Sequence, residues 1–366
     1  LYLGVFSFAF LFIFKISKEK KSLQLFNFNS VDIAFLIYIL LFTLTKIVNS
    51  GIEEGLNTFF RSCQDYFIFI WIRFFISSQE DNENKVFKVL YLATIISMTY
   101  GLLQFFHLDI FHRQSDIHRL SGFHKNPYTY GGQLIILFFF LINDFRTRNK
   151  LISLVLSALC FFCILNTSER AVLLGVVIGS VFYYFINKSN KKQLNYVFAL
   201  VSVPIVLTAI FNRKAVNRIK NIIFPSEAVK TNIRLKLWGI AIAVWKKNIL
   251  FGAGKFPTVY HQSGNGFSFK ILKHAHNVYL QLLVTNGLLG LMAYLGLLFS
   301  IIQKLYLSLS RNKYASCSIA VILAFMIEGC FEYFWGDSEV RYLLIYFIGF
   351  VFGILAKCEL KQESVK

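Results

Sequence analysis

The chain has 366 residues, 56% hydrophobic and only 16% charged, with a mean hydropathy of +0.57; a soluble domain is nearer a quarter charged, so water is excluded as its main solvent. The net charge of +19 is carried by short Lys/Arg clusters between apolar runs, not on one soluble face. That argues against nucleic acid and fits a positive-inside membrane protein with a polyanionic ligand. The strict apolar–polar alternation of a β-barrel is absent, which leaves helices as the way to satisfy backbone polar groups in hydrocarbon.

A spanning helix needs about 20 predominantly apolar residues. In chain order the candidate spans are 1–16, 31–48, 59–76, 86–106, 129–143, 151–166, 171–187, 194–211, 278–302, 314–335 and 340–356. The expected fold is therefore all-α: a polytopic transmembrane bundle of about eleven spans, with a long extracytoplasmic loop containing short helices. Residues 1–211 hold the first eight spans, with a first outside loop at about 107–128; 212–277 form the large loop; 278–366 hold three spans and a cytoplasmic tail. No internal repeat is visible.

Orientation follows from the basic residues of short loops. Lys15, Lys18, Lys20, Lys21, Lys85, Arg146, Arg148, Lys150, Lys188, Lys191, Lys192, Lys304, Arg311, Lys313 and the Lys-bearing tail 357–366 lie on one side. The other side's short loops hold Arg113, Arg119, Lys125 and Arg170. The first side is cytoplasmic by the positive-inside rule. The chain begins at Leu1 within an apolar run, so the first span reads as truncated, and a twelfth helix would place both ends in the cytoplasm. Cys160 and Cys163 form a C-x-x-C inside a span, where packing is the expected role.

All seven histidines fall in the outside loops: His107, His112, His118 and His124 in the first, His261, His274 and His276 in the second. An interfacial His needs no function. His274 and His276 are distinguished by immediately preceding a span, where a helix N-terminus favours a neutral imidazole able to take a proton from a hydroxyl. Asn277 could hold that ring or a substrate. A metal at the H-x-H pair is less favoured, because no third ligand has suitable spacing.

Arg170, in a two-residue turn after Thr167, Ser168 and Glu169, joins Arg119 and Arg234 as guanidinium groups suited to phosphate oxygens. The stretch Arg234–Lys247 reads as an amphipathic helix within the large loop. Gly252 and Gly254 read as a tight turn that lets backbone approach a helix or substrate, without the spacing of a nucleotide loop. Arg61, Asp65, Arg73, Glu328 and Glu332 lie within candidate spans; structural ion pairing is the expected role, with Glu332 nearest the outside.

Four segments, taken in order, resemble the bacterial O-antigen ligase and O-antigen polymerase family: RLSGFHKNPYTYGG (119–132), NTSERAVLLG (166–175), RLKLWGIAIAVWKKNILFGAGKFP (234–257) and HAHNVYLQLLVTNGLLGLMAYL (274–295). The chain departs from the family pattern at Glu169, between Ser168 and Arg170, and at Ile249-Leu250, where Pro-Leu is usual. The resemblance implies a multi-pass glycosyltransferase of the bacterial cytoplasmic (inner) membrane with an extracytoplasmic active site, serving surface polysaccharide (lipopolysaccharide) biosynthesis. Its substrate would be undecaprenyl-diphosphate-linked glycan and its acceptor a glycolipid, either lipid A-core or another lipid-linked repeat. No cofactor, nucleotide sugar or metal is expected, and the reaction would be inverting.

By the same resemblance His276 matches the catalytic position and Arg170 and Arg234 the diphosphate-binding positions, supported by Arg119, His274 and Asn277. Two other classes of function have their own requirements. A transporter or flippase of lipid-linked glycan would want inverted repeats and broken helices at mid-membrane. A metal-dependent transferase would want paired carboxylates in an outside loop, but Glu53 and Glu54 are adjacent and would diverge on a helix.

Overall fold

Long apolar runs almost free of proline coil into helices, since intrahelical bonds satisfy the backbone where water is absent. The computed structural model describes residues 28–79, 81–111, 119–148, 150–187, 191–212, 233–262 and 269–363. Among these, the helices are α1 (Ser30–Ser50), α2 (Ile52–Ser78), α3 (Asn82–Phe105), α4 (Pro127–Arg148), α5 (Leu151–Thr167), α6 (Arg170–Ile186), α7 (Lys191–Phe211), α8 (Ile233–Trp245), α9 (Val278–Leu307), α10 (Ala315–Glu328) and α11 (Ser338–Glu363). The candidate spans from 31–48 onward each fall on one of them, and α8 falls on the expected loop helix. Span 1–16, His112, His118 and Arg113 lie outside the described residues.

Four segments are long and apolar enough to cross a membrane by length and composition: α1, α3, α9 and Ser338–Leu360 of α11. The apolar helices α5 and α6 have 17 residues each and α10 has 14, or about 21–26 Å of rise.

Two structural departures matter. First, the chain is not wholly helical: β1 (Val259–Gln262) and β2 (Phe269–Leu272) form an antiparallel pair, Val259 opposite Leu272. Second, the expected span 314–335 stops at Glu328. Gly329 follows the last helical residue and Phe334–Gly336 form a single 3-10 turn, so Glu332 sits in the connection between α10 and α11.

The bundle closes through small residues. A Cβ at Gly175 or Gly179 of α6 would lie 2.5 Å from Ala324 O and 2.9 Å from Ala320 O of α10. Gly349 and Gly353 of α11 lie equally close to the backbone of α2, each hypothetical Cβ being 2.8 Å from Phe69 O and Arg73 O respectively. Such small-xxx-small faces let helix backbones approach where no hydrophobic force separates helix from lipid.

Two of the span charges are paired across helices. Asp32 accepts from Arg73 at 2.9 Å, and Asp65 from Arg341 at 3.2 Å. Cys160 and Cys163 are free thiols, both buried in the core.

One helix is broken. Within α9, Gly287 has φ 65° and ψ −164°, which interrupts the helical ladder. The backbone groups released there are taken by the turn after α8. Leu288 N–H donates to Ile249 O at 2.9 Å, Leu289 N–H to Leu250 O at 3.2 Å, and Ala253 N–H to Val284 O at 2.6 Å. Gly252, at φ 77°, lies so close that its Cβ would meet Gly287 N at 2.5 Å. The same turn is tied to α1, because Asn49 Nδ2 donates to Phe251 O at 2.6 Å and Lys46 donates to Gly254 O. The expected glycine turn is therefore a plug in a helix break.

Candidate functional site

The site gathers where α5, α6, α9 and the α10–α11 connection end together. Asn277 is the N-cap of α9: its Oδ1 accepts from Leu280 N–H at 2.9 Å and its Nδ2 donates to Cys330 O at 2.8 Å. This cap satisfies a helix-end N–H that would otherwise lack a partner. Ala275 is held on both sides, its N–H donating to Gln281 Oε1 at 2.9 Å and its carbonyl accepting from Trp238 Nε1 at 3.1 Å. Val278 N–H donates to Gly329 O at 2.8 Å. Between these fixed neighbours His276 takes φ 48°, a left-handed conformation uncommon outside glycine.

That backbone turns the imidazole onto Glu332. His276 Nδ1 lies 2.9 Å from Glu332 Oε2, and Glu332 Oε1 accepts from Arg234 Nη2. A carboxylate only accepts, so Nδ1 carries a proton, and in the neutral imidazole Nε2 is then the nitrogen with the lone pair. Glu332 is itself nearly buried, its side chain 7% exposed, whereas His276 is 23% exposed. The His274 ring lies 4.2 Å from that of His276, centroid to centroid.

A second ion pair stands beside the first. The two-residue turn between α5 and α6 is left-handed at Ser168, with Glu169 at the N-cap position of α6. Arg119 pairs with Glu169 and donates from Nε to Thr167 O at 3.1 Å. Leu120 N–H donates to Asn166 O at 3.0 Å, docking the 119–126 loop on this turn. The buried Gln104 holds that loop from beneath, accepting from Ser121 N–H at 3.1 Å and Gly122 N–H at 2.9 Å. Burial raises the Glu169 carboxyl above its usual range; Arg119 opposes this, Glu332 adds to it and Arg234 opposes it. The two ion pairs thus share one electrostatic field.

Of the residues singled out from sequence, His276, His274, Arg234 and Arg119 fall into this cluster. Arg170 is exposed on the first turn of α6, next to Glu169 in sequence but without a bond to Glu332. Asn277 holds the loop rather than the ring. Glu332, expected as a structural charge, joins His276 to Arg234; Glu169, a departure from the expected motif, pairs with Arg119. The available signal for Glu332 was an ionisable residue at the outer end of an otherwise apolar run.

A cavity of about 600 Å³ adjoins Glu332 and His274, reaching the 123–129 loop and the start of α11. Asp337 lies on its wall, accepting from Thr129 Oγ1 at 2.5 Å. Burial, and secondly its bond with Glu339, push the Asp337 carboxyl up to about 6. Among the described residues, no group of three or more His, Cys, Asp or Glu is placed to hold a metal ion.

Residues 152–295 match the family model described as O-antigen ligase. The matched stretch contains Arg170, Arg234, His274, His276 and Asn277, and it bears out the resemblance carried by the motifs. No curated protein matches the chain. Together the match and the apolar helices indicate an integral membrane protein that is similar to O-antigen ligases over residues 152–295.

Proposed function

We propose, from the O-antigen ligase character of residues 152–295, that the protein is a glycosyltransferase acting at the outer face of the bacterial inner membrane. It transfers glycan from undecaprenyl diphosphate to an acceptor sugar hydroxyl, on lipid A-core or on another lipid-linked repeat. The observation that carries this reading is Glu332, whose two carboxylate oxygens engage His276 and Arg234. One side of that bridge suits proton removal; the other suits a departing anion.

In the proposed step the acceptor O–H gives its proton to His276 Nε2 while its oxygen bonds to the anomeric carbon. The bond from that carbon to the diphosphate breaks, and the electron pair leaves on the diphosphate oxygen. A single displacement inverts the anomeric centre. Arg234 and Arg170 hold the diphosphate, where preorganised cations favour developing negative charge. Because Arg234 starts paired with Glu332, donor binding draws the guanidinium towards phosphate. Glu332 is then left to His276 alone, and an unshared carboxylate favours the imidazolium formed on proton transfer.

A flippase reading could draw on the break at Gly287, since transporters bind substrate at discontinuous helices. Here the freed backbone groups are bonded to the 249–253 turn and are not available to a solute. The transferase reading is tested with purified protein, lipid-diphosphate glycan as donor, and lipid A-core or lipid-linked repeat as acceptor. His276→Ala and Arg234→Ala should each lose at least 100-fold in turnover, about 3 kcal/mol. Full activity in either variant refutes the mechanism, and a strict requirement for added divalent metal refutes the metal-free chemistry.

A further inference from the structure

From Ile233 to Pro257 the chain holds Arg234, Lys236, Lys246, Lys247 and Lys255 and no Asp or Glu. One face of α8 is packed away, Leu237 and Ala241 lying buried in an apolar cluster with Val284 of α9. Another face presents Ile242 to the outside, and the turn beyond α8 continues it with Ile249 and Leu250, 50% and 54% exposed. The backbone of that turn is nonetheless satisfied within the protein. Asn248 O accepts from Gly252 N–H at 2.8 Å, Ile249 O from Leu288 N–H and from Trp245 Nε1, Leu250 O from Leu289 N–H, and Phe251 O from Asn49 Nδ2. A loop surrounded by water has no need of this, since water would serve the same carbonyls. Irregular backbone at membrane depth requires it.

The partners place the turn at a bilayer edge. Helix α1 has 21 residues, about 31 Å of rise, which matches a hydrocarbon layer of about 30 Å. Asn49 lies in its last turn, and Asn286, beside the break at Gly287, donates from Nδ2 to Thr45 Oγ1 at 2.8 Å. The 246–251 turn therefore stands against the final turns of α1. Leu44 and Val48 of α1 and Met292 of α9 are exposed apolar side chains on segments able to cross the membrane, and Ile249 and Leu250 extend the same belt. Trp245, Lys246 and Lys247 add what a bilayer interface favours: an indole ring, and ammonium groups on long stems that reach headgroup phosphates. We infer that the end of α8 and the 246–251 turn form an interfacial anchor, with Ile242, Ile249 and Leu250 in the acyl region of one leaflet and Lys246 and Lys247 among its phosphates. On the orientation proposed above this is the outer leaflet. Arg234 stands 11 residues before Trp245 on the same helix, about 17 Å away, so the anchor sets the position of that guanidinium relative to the lipid. Only this last consequence rests on the proposed transferase reading.

The test attaches a nitroxide at Ile242→Cys and Leu250→Cys in the full-length protein, held in nanodiscs of phosphatidylethanolamine and phosphatidylglycerol. The half-exposed Cys63, Cys330 and Cys358 are replaced by Ser, and each variant is checked for an unchanged unfolding midpoint. Leu40→Cys, on the exposed side of α1, is the lipid reference, and Lys273→Cys, exposed before α9, is the aqueous one. Collisions with oxygen report hydrocarbon and collisions with a water-soluble nickel chelate report water. The oxygen-to-nickel ratio of both labels should lie within about threefold of the Leu40→Cys value and at least about fivefold above the Lys273→Cys value. A lower ratio overturns the anchor, as does a label that neither reagent reaches, which means that protein covers the turn. A nitroxide at Lys247→Cys should broaden the lipid phosphorus resonance at least about twofold more than one at Leu40→Cys; equal broadening overturns the placement of the lysines. Neither measurement uses a substrate, so the anchor stands or falls separately from the proposed reaction.

Discussion

Replacing Glu332 with Gln keeps the shape of the side chain and removes the charge that joins His276 to Arg234. Two charge-assisted hydrogen bonds are lost or weakened, each worth roughly 1.5–3 kcal/mol when intact. Arg234 is 34% exposed at its side chain, so water recovers part of the loss on that arm. His276 is less exposed, and the carboxylate is the hydrogen-bond partner of its Nδ1. A positioned general base contributes about 10²–10⁴-fold; losing its orienting partner should remove much of that, on the order of 10²–10³ in kcat, or roughly 3–4 kcal/mol. Initial rates of glycan transfer measure this directly. In the double variant with His276→Ala, the second change should add almost nothing, because residues that act as a unit are not additive. A Glu332→Gln enzyme within threefold of wild type refutes the reasoning. So does a double variant whose loss equals the product of the two single losses.

Four other outcomes follow from the geometry. Arg170→Ala should raise the donor KM several-fold at an unchanged unfolding midpoint, since Arg170 is exposed. Arg234→Ala should lower both activity and midpoint, because it leaves the buried Glu332 short of a cation. Gly287→Ala should cost about 3 kcal/mol or more through positive φ and overlap with Leu250 O, which a Cβ would approach to 2.2 Å; Gly296→Ala, with nothing within 4 Å of its Cβ, should be neutral or slightly stabilising in the same thermal assay. For Asp337, burial pushes the folded carboxyl up to about 6, above its ordinary value of 3.8. The native state therefore holds the extra proton between those values, and stability should rise as pH falls from about 6 towards 4. Asp337→Asn should flatten that part of the pH–stability curve, and an unchanged slope would contradict the assignment.

Helix positions were readable because the apolar runs are long and bounded by charged or polar residues, as in Lys150 before α5 and Asn187 after α6. His276 and Arg234 were readable through motif spacing. Glu332 was not, because the run from 314 to 335 looks continuous until Gly329 and Gly336 are understood as stops. Its partners are separated from it by 56 and 98 residues, a distance no local pattern encodes. The break at Gly287 was equally hidden. A glycine in TNGLLG is tolerated in any membrane helix; only the arrival of Ile249, Leu250 and Ala253 turns it into a discontinuity. The β1–β2 pair escaped notice because two four-residue strands in a polar loop carry little periodic signal.

The short helices around the site bear on the bilayer itself. A hydrocarbon layer is about 30 Å thick, whereas α5, α6 and α10 rise only about 21–26 Å. A span shorter than its solvent draws the lipid surface inward. The leaflet beside Arg170 and Glu332 should therefore dimple towards the protein, lowering headgroups to the depth of the reacting groups. A substrate carried on a lipid would then arrive by sideways diffusion alone, with its diphosphate already at working height and its tail never leaving the membrane.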